Sequence, residues 1–387
     1  MRTASGWWSR RAALGVPVGE RGSGPLRVLM INGERGWRGG ENQVALLVRG
    51  LGSAFLPITA CLPDAPLAQA LGAAGCQVRP VTMRGQFHLS AVRALRQIIR
   101  DEHIDVVHAH TSHAHALGLQ ATIGNRVPLL VTRRVDFAIG RSLIGRWKYG
   151  QRVTRFVAVS AGVQRVLEAG GVERERIEVI HDGIDLARFA GAASTTSTLR
   201  SELGIPADAV VFGVVAHLTD HKDHHTLLTA FAEVEHARPD AWLLVVGTGE
   251  LEAELRIHAT ALGLKRTVFT GFRDDIPNVL RGLDVGVLSS HLEGLGSTVM
   301  DYCCCGLAVV ATRAGGIPEL LSDGVEGLLA PPRDPPALAG ALLRVAGDAA
   351  LRRRLGDAGR IAATERFGAA RMVTAHEALY RRLVPGR

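Results

Sequence analysis

The sequence predicts an α/β protein made of two doubly wound, Rossmann-like domains that face a central cleft. Three observations carry that expectation. The chain has 387 residues, too many for one ordinary core and suited to two units of about 200 residues or fewer. From Leu26 onward, short β-branched runs alternate with longer segments of 3.6-residue period, the pattern of βαβ units on a parallel sheet. Between two such series lies Ala190 to Thr198, poor in bulky apolar residues and rich in Ala, Ser and Thr, which reads as a linker. The expected division is a tail over 1–24, an N-terminal domain over 25–189, a linker over 190–200 and a C-terminal domain over 201–368.

In chain order, Leu26 to Asn32 reads as the first strand. A glycine-rich loop, Gly33 to Gly40, follows it, and then a helix whose Val44, Leu47, Val48 and Leu51 recur at i, i+3, i+4 and i+7. Asp105 to His108, Leu129 to Thr132, Phe156 to Ser160 and Arg176 to Ile180 continue the first series, with Ser160 placed to cap the next helix and the turn His181-Asp182-Gly183 closing it. The second series has strands at Val210 to Val215, Trp242 to Val246, Val268 to Gly271, Asp284 to Leu288 and Ala308 to Ala311, and turns helical after Pro335. The last helix, Ala369 to Leu383, has apolar positions but no strand of its own. Residues 369–387 are therefore expected to cross back and pack on the N-terminal domain.

Composition narrows the function. With 47% hydrophobic residues, 21% charged residues and 45 glycines, the chain is globular and rich in tight turns, which excludes wholesale disorder. A net charge of +8 calls for an anionic partner: a phosphate substrate, an anionic lipid surface or nucleic acid. No helix-turn-helix or aromatic RNA-binding signature supports the last. Cys61, Cys76 and the run Cys303 to Cys305 form no framework spacing, so a reducing compartment is expected, and three successive helical cysteines diverge by about 100° each and read as small packing residues. No apolar run of membrane-spanning length and no leader-like apolar stretch occurs in the sequence. The cytoplasm is the expected location, with peripheral contact at the inner face of the membrane as a further expectation.

The densest signal is Ser289 to Asp301, between a strand and a helix. In an open α/β sheet, ligands sit at the carboxyl ends of strands, where glycine lets backbone N–H groups reach a phosphate beside a helix N-terminus. Gly294 and Gly296 suit that role, and Glu293 and Asp301 could accept hydrogen bonds from sugar hydroxyls. Asp301 could equally form a capping box with Thr298, and the two roles can coexist. A second glycine loop, Ala314-Gly315-Gly316-Ile317-Pro318-Glu319, follows the next strand, and Gly247-Thr248-Gly249 ends a third. Three strand ends would then present backbone to one crevice.

These residues resemble the donor domain of glycosyltransferase family 4, which has the two-domain GT-B fold. The resemblance rests on Glu293-Gly294-Leu295-Gly296, Asp301 eight positions on, Gly315-Gly316-Ile317-Pro318-Glu319 and Gly324-Val325-Glu326-Gly327-Leu328. It extends upstream through Ile177 to Asp185 to Arg38-Gly39-Gly40-Glu41, covering nearly the whole chain after Pro25. It implies a retaining transferase that takes a nucleotide-diphospho-sugar as co-substrate, without cofactor or metal. Glu293 would hold sugar hydroxyls, Asp301, where the family has Glu, the ribose, and Gly39 and Gly40 the diphosphate. Lys222 matches the family's lysine, whereas His217 stands where an arginine is usual. His110, the second histidine of Asp105-Val106-Val107-His108-Ala109-His110, would lie beside the reacting sugar. Gly247, Gly249, Arg273, Leu295, Gly315, Gly316 and Glu319 complete the implied donor set, with His110, Lys222 and Glu293 as the catalytic residues. The implied acceptor is a glycan or glycolipid of bacterial surface polysaccharide or lipopolysaccharide synthesis.

Other readings stay open at this stage. His108 and His110 at a strand end could serve a metal-dependent hydrolase, although no H-x-H-x-D-H or H-E-x-x-H occurs. His217 leaves room for a catalytically weakened, nucleotide-sugar-binding subunit. His113 and His115 read as ordinary helix residues near a cleft rim. The stretch 141–155, with Arg141, Arg146, Lys148, Arg152 and Arg155 among Leu143, Ile144, Trp147, Tyr149 and Val153, reads either as an amphipathic basic helix on an anionic membrane or as a solvated face.

Overall fold

The computed structural model describes residues 24–140, 142–190 and 197–386. All but the last residue of the expected tail, Arg141 and the middle of the expected linker, 191–196, lie outside the described residues. The β-branched runs form two parallel sheets. The first contains β1 (Leu26–Ile31), β2 (Phe55–Cys61), β3 (Gln77–Pro80), β4 (Val106–Ala109), β5 (Leu129–Arg133), β6 (Arg155–Ala158) and β7 (Ile177–Val179), in the order β3-β2-β1-β4-β5-β6-β7. The second contains β8 (Val210–Val215), β9 (Ala241–Val246), β10 (Thr267–Gly271), β11 (Val285–Leu288), β12 (Ala308–Thr312) and β13 (Gly327–Ala330), in the order β10-β9-β8-β11-β12-β13. Helices cover both faces of each sheet. The GT-B expectation therefore stands, with β2, β3 and β13 added.

Each sheet reverses its winding once, between β1 and β4 and between β8 and β11. Such a switch point opens a crevice at the carboxyl ends of its strands. In the second sheet the opening is enforced by packing: β8 and β11 pair at Phe212–Val285 and Gly213–Gly286 and then diverge. Both glycines leave volume for larger neighbours, since a Cβ on Gly286 would stand 2.4 Å from the Tyr302 ring and one on Gly213 would meet Leu283. The Tyr302 hydroxyl fills the gap, accepting from the Val215 amide at 2.9 Å.

The last helix crosses back as expected. Met372, Val373, Leu379 and Tyr380 are buried in one core with Val28, Met30, Val44, Leu47 and Val106. A small parallel bridge between Ile184 and Gly368 carries the chain over. Two local expectations fail. The stretch 141–155 is no continuous amphipathic helix: the helix spans only Leu143–Lys148, Val153 is fully buried and Arg155 opens β6. Lys148 is itself buried, its ammonium donating to the Ser112 carbonyl and hydroxyl at 3.0 and 2.9 Å. His115 is a core residue, bonded through Nε2 to the Lys148 carbonyl at 2.8 Å, with burial lowering its pKa to about 3. His113 does stay exposed at the rim.

Candidate active site

The residues singled out in the sequence fall largely at the two switch points. Gly33 to Gly40 and His110 leave β1 and β4; His217 to Lys222 and Glu293 to Gly296 leave β8 and β11. The chain turns after β8 through a short 3-10 segment, Asp220–Lys222, which is tied to the loop after β11. The His291 amide donates to the His221 carbonyl at 3.0 Å, and the Ser289 hydroxyl donates to the Lys222 carbonyl at 2.9 Å. This fastening brings the Lys222 ammonium into an ion pair with Glu293, both side chains largely buried. Ser290 Oγ donates to the same carboxylate oxygen at 3.1 Å.

The loop carrying Glu293 is pressed against the first sheet. A Cβ on Gly294 would stand 1.9 Å from the Arg134 carbonyl oxygen, and one on Gly315, whose φ is +50°, would stand 1.5 Å from the Glu293 carbonyl oxygen. Only glycine fits at either position. The Glu293 amide donates to Asp136 at 2.9 Å, and the Ser160 hydroxyl donates to the Gly294 carbonyl at 2.6 Å. Gly316 is also enclosed, a Cβ there standing 2.7 Å from Ser160 Cβ, while the Leu295 side chain is buried. These glycines thus serve close approach between the two halves.

Two helix N-termini meet across the same line. The helix Ser297–Cys304 begins after Gly296, whose φ is +90°. The helix Gly39–Gly50 begins opposite, a Cβ on Gly39 lying 3.3 Å from Ser297 Oγ. Their unpaired amides and dipoles favour an anion. Asp301 sits one turn inside the first of these helices. No capping box forms with Thr298, because Gly296 holds the N-cap and Thr298 Oγ1 instead donates to the Val215 carbonyl at 3.3 Å. Burial pushes the Asp301 carboxyl up to about 7, against the opposing charge of Arg188.

On the first sheet the centre is Arg134, which no sequence motif indicated. Its Nε donates to Asp182 at 3.2 Å with both side chains mostly buried, and its NH1 lies 3.4 Å from His110 Nδ1. Gly40 packs on the same side chain, a Cβ there lying 3.8 Å from Arg134 Cδ. His110 is buried and lies against His108, with ring centroids 3.9 Å apart and the planes tilted by 41°. Burial and then Arg134 hold its pKa well below the usual imidazole value, so the ring is neutral near pH 7. His108 is held by the Tyr380 hydroxyl at 2.7 Å and Thr132 Oγ1 at 2.6 Å. Neither imidazole is arranged as a metal ligand, and among the described residues no group of three or more His, Cys, Asp or Glu is placed to hold a metal.

Three expected donor groups have carboxylate or amide neighbours within the protein. Glu319 accepts from the Ala161 and Gly162 amides at 2.9 and 3.1 Å, at the start of the helix Ala161–Ala169, and pairs with His181 at 2.9 Å. Burial raises its pKa, but these hydrogen bonds outweigh it and the net shift is downward. Arg273 is clasped by Asp275 at 2.6 Å and Glu202 at 3.1 Å. His217 lies 4.0 Å from Glu250. Gly247 and Gly249 pack on the loop after β8, with the Gly247 amide donating to the Gly271 carbonyl at 2.9 Å. Arg134, Asp136 and Asp182 are the additions, and their position just past β5 and β7 was the available signal.

Comparison with known proteins bears on the family and the fold. Residues 37–188 match the family described as Glycosyltransferase Family 4, and residues 195–362 match Glycosyl transferases group 1. The chain is 27% identical over 277 residues to the UDP-Gal:alpha-D-GlcNAc-diphosphoundecaprenol alpha-1,3-galactosyltransferase of Escherichia coli, covering 68% of this chain and 72% of the relative. It is 32% identical over 215 residues to the lipopolysaccharide core biosynthesis glycosyltransferase LpsE of Rhizobium meliloti (strain 1021), covering 55% and 60%. The fold matches that of Alr3699/HepE from Anabaena, solved in complex with UDP and glucose. There the TM-score is 0.80 and the identity 22%, over 92% of this chain and 99% of that one.

Proposed function

Because the chain belongs to glycosyltransferase family 4, we propose that it moves a sugar from a nucleotide-diphospho-sugar to a glycan or glycolipid acceptor with retention of anomeric configuration. The observation that carries the reading is the paired Lys222 and Glu293, set beside two facing helix N-termini. As the glycosidic bond of the donor breaks, negative charge grows on the departing diphosphate. Lys222 and the amides at Gly39 and Ser297 stabilise that charge in a partly water-excluded cleft. A phosphate that takes over Lys222 releases Glu293 to accept hydrogen bonds from sugar hydroxyls. His110, neutral, serves as a hydrogen-bonding group near the acceptor side. Asp301 receives the ribose.

The E. coli relative acts on a diphosphate-linked lipid and the R. meliloti relative in lipopolysaccharide core synthesis, which supports an acceptor of the bacterial surface-glycan class. Peripheral contact with an anionic membrane at the inner face is the accompanying proposal. Exposed Phe87, Leu89, Leu143 and Ile144 support it, with Phe87 packed on Trp147 at 6.1 Å beside Arg146. The test is a thermal-shift screen of nucleoside diphosphates, UDP first. One that binds the folded protein raises Tm, by the equivalent of about 2.7 kcal/mol at 100 times its Kd. Failure of every nucleoside diphosphate to raise Tm would sink the reading.

A further inference from the structure

Resting on that transferase reading, we propose that the acceptor carries a phosphate, which Arg35, Arg38 and Arg84 hold in a cavity beside the helix Gly39–Gly50. The cavity measures about 270 Å³ and is formed where two separate loops converge, one after β1 and one after β3. The first loop supplies Arg35 and Arg38, the second Arg84, and His113 closes the side at the start of the helix Ser112–Ala121. Three guanidinium groups from two loops therefore surround one hollow. Among the described residues, no carboxylate pairs with any of the three.

The carboxylates in the lining do not neutralise the cavity. Glu41 is buried and already committed, accepting from Asn32 Nδ2 at 3.0 Å and from the Arg38 amide at 3.1 Å. Glu34 is exposed and free to turn to solvent. Three fixed cations against two carboxylates leave an excess that an anion would meet. Arginine is the side chain suited to it, because its planar fork takes two phosphate oxygens at once. The helices Gly39–Gly50 and Ser112–Ala121 both begin at the cavity edge and add their positive ends.

Position ties the cavity to the reaction. Arg38 immediately precedes Gly39, which abuts Ser297 across the cleft. A phosphate held by Arg38 thus stands at the mouth of the cleft, on the wall away from Lys222. The volume lies just under the roughly 300 Å³ at which whole drug-sized ligands are enclosed. It accommodates a phosphate and the group next to it, and leaves the remainder of an acceptor outside.

Calorimetric titration with glucose 1-phosphate and with glucose, each in the presence of a saturating nucleoside diphosphate that binds, tests the proposal. Glucose 1-phosphate is expected to bind at least about tenfold more tightly than glucose, the size of a charge-assisted hydrogen bond. In Arg35→Gln/Arg84→Gln that preference should vanish, with Tm unchanged and nucleotide affinity within about twofold, because both residues are exposed and have no carboxylate partner among the described residues. Three results would overturn it: equal affinities for the two sugars, a preference that survives in the double variant, or displacement of glucose 1-phosphate by the nucleotide, which would make the cavity part of the donor site. If no nucleoside diphosphate binds, the transferase reading fails separately. The same titration without nucleotide then still decides whether the cavity takes phosphate.

Discussion

The two walls of the cleft hold their charges differently. On the wall formed by the second sheet two cations are met by carboxylates: Lys222 by Glu293, and Arg273 by Asp275 and Glu202. On the opposite wall Arg134 is paired with Asp182 in the interior, but Arg35, Arg38 and Arg84 stand around a hollow with no carboxylate partner among the described residues. A wall that is internally neutral binds an anion only by displacing a carboxylate, so anion binding there also frees an acceptor group. A wall with unpaired cations is already charged for its ligand. On the transferase reading proposed above, the second-sheet wall would couple anion binding to the release of a carboxylate, and the first-sheet wall would capture an anion directly.

The largest expected effect tests the coupling. If Lys222 and Glu293 act as one unit, Lys222→Ala and Glu293→Gln each lower kcat by about 100- to 1000-fold, the usual cost of losing a charge-stabilising group. The double variant should be little worse than either single one, since residues acting as a unit are strongly non-additive. Steady-state kinetics with the cognate donor would read this out, and strictly multiplicative losses would show two independent groups. Next in size is the interior pair. Arg134→Ala leaves Asp182 buried without its partner, and breaking such a pair costs about 3–5 kcal/mol. Asp182→Asn added to Arg134→Ala should recover much of the loss in thermal unfolding. No recovery would mean that Arg134 stabilises through its contacts with Gly40 and His110.

The contact between the walls gives a smaller effect. Glu319 reaches across to the amides of Ala161 and Gly162 and to His181. Its folded-state pKa lies below the ordinary carboxyl value of 4.5. Its stabilisation is therefore present above about pH 4.5 and is lost as pH falls through the lower, folded value. Glu319→Gln should lower Tm at pH 7 by less than Arg134→Ala does, and the difference from wild type should shrink in acid. A constant difference from pH 7 to pH 3 would show that the carboxylate charge plays no part.

The same contrast between walls explains what the sequence could reveal. The second-sheet wall is written in contiguous stretches, Glu293 to Asp301 and Gly315 to Glu319, where glycine, carboxylate and helix start follow one another. All of its strands but β13, and its loops, were accordingly legible, as was the last helix. The first-sheet wall is assembled from distant positions. Arg134, Asp182 and Tyr380 meet around His108 and His110 only after β5, β7 and the returning helix are in place, and nothing in their spacing announces it. β2, β3 and β13 went unread for a related reason: Pro57 interrupts the first, the second is short and only half-buried, and the third is a four-residue run opened by Gly327. The basic stretch 141–155 misled because periodicity cannot tell that Lys148 would turn inward to serve the Ser112 carbonyl.

Asp301 offers the finest test, because it sets ligand binding against stability within one residue. Burial holds its carboxyl at about 7 instead of the ordinary 3.8. A ribose hydroxyl donates best to the ionised form, so nucleotide affinity should rise by roughly tenfold between pH 6 and pH 8 as that form fills. Ionisation of the phosphates also contributes over this range, and Asp301→Asn separates the two: whatever pH dependence remains in the variant belongs to the ligand. Stability runs the other way. A carboxyl whose pKa is raised on folding contributes fully below the unfolded value near 4, and that contribution is lost as pH rises through 7. Without nucleotide, Asp301→Asn should therefore melt higher than wild type at pH 8 and by less at pH 5, while binding nucleotide more weakly at pH 8. Calorimetry and thermal melts at the two pH values give both signs. A variant that loses affinity and also melts lower at pH 8 would show that Asp301 is held charged by partners on the second-sheet wall, and that the wall is neutral through its whole depth.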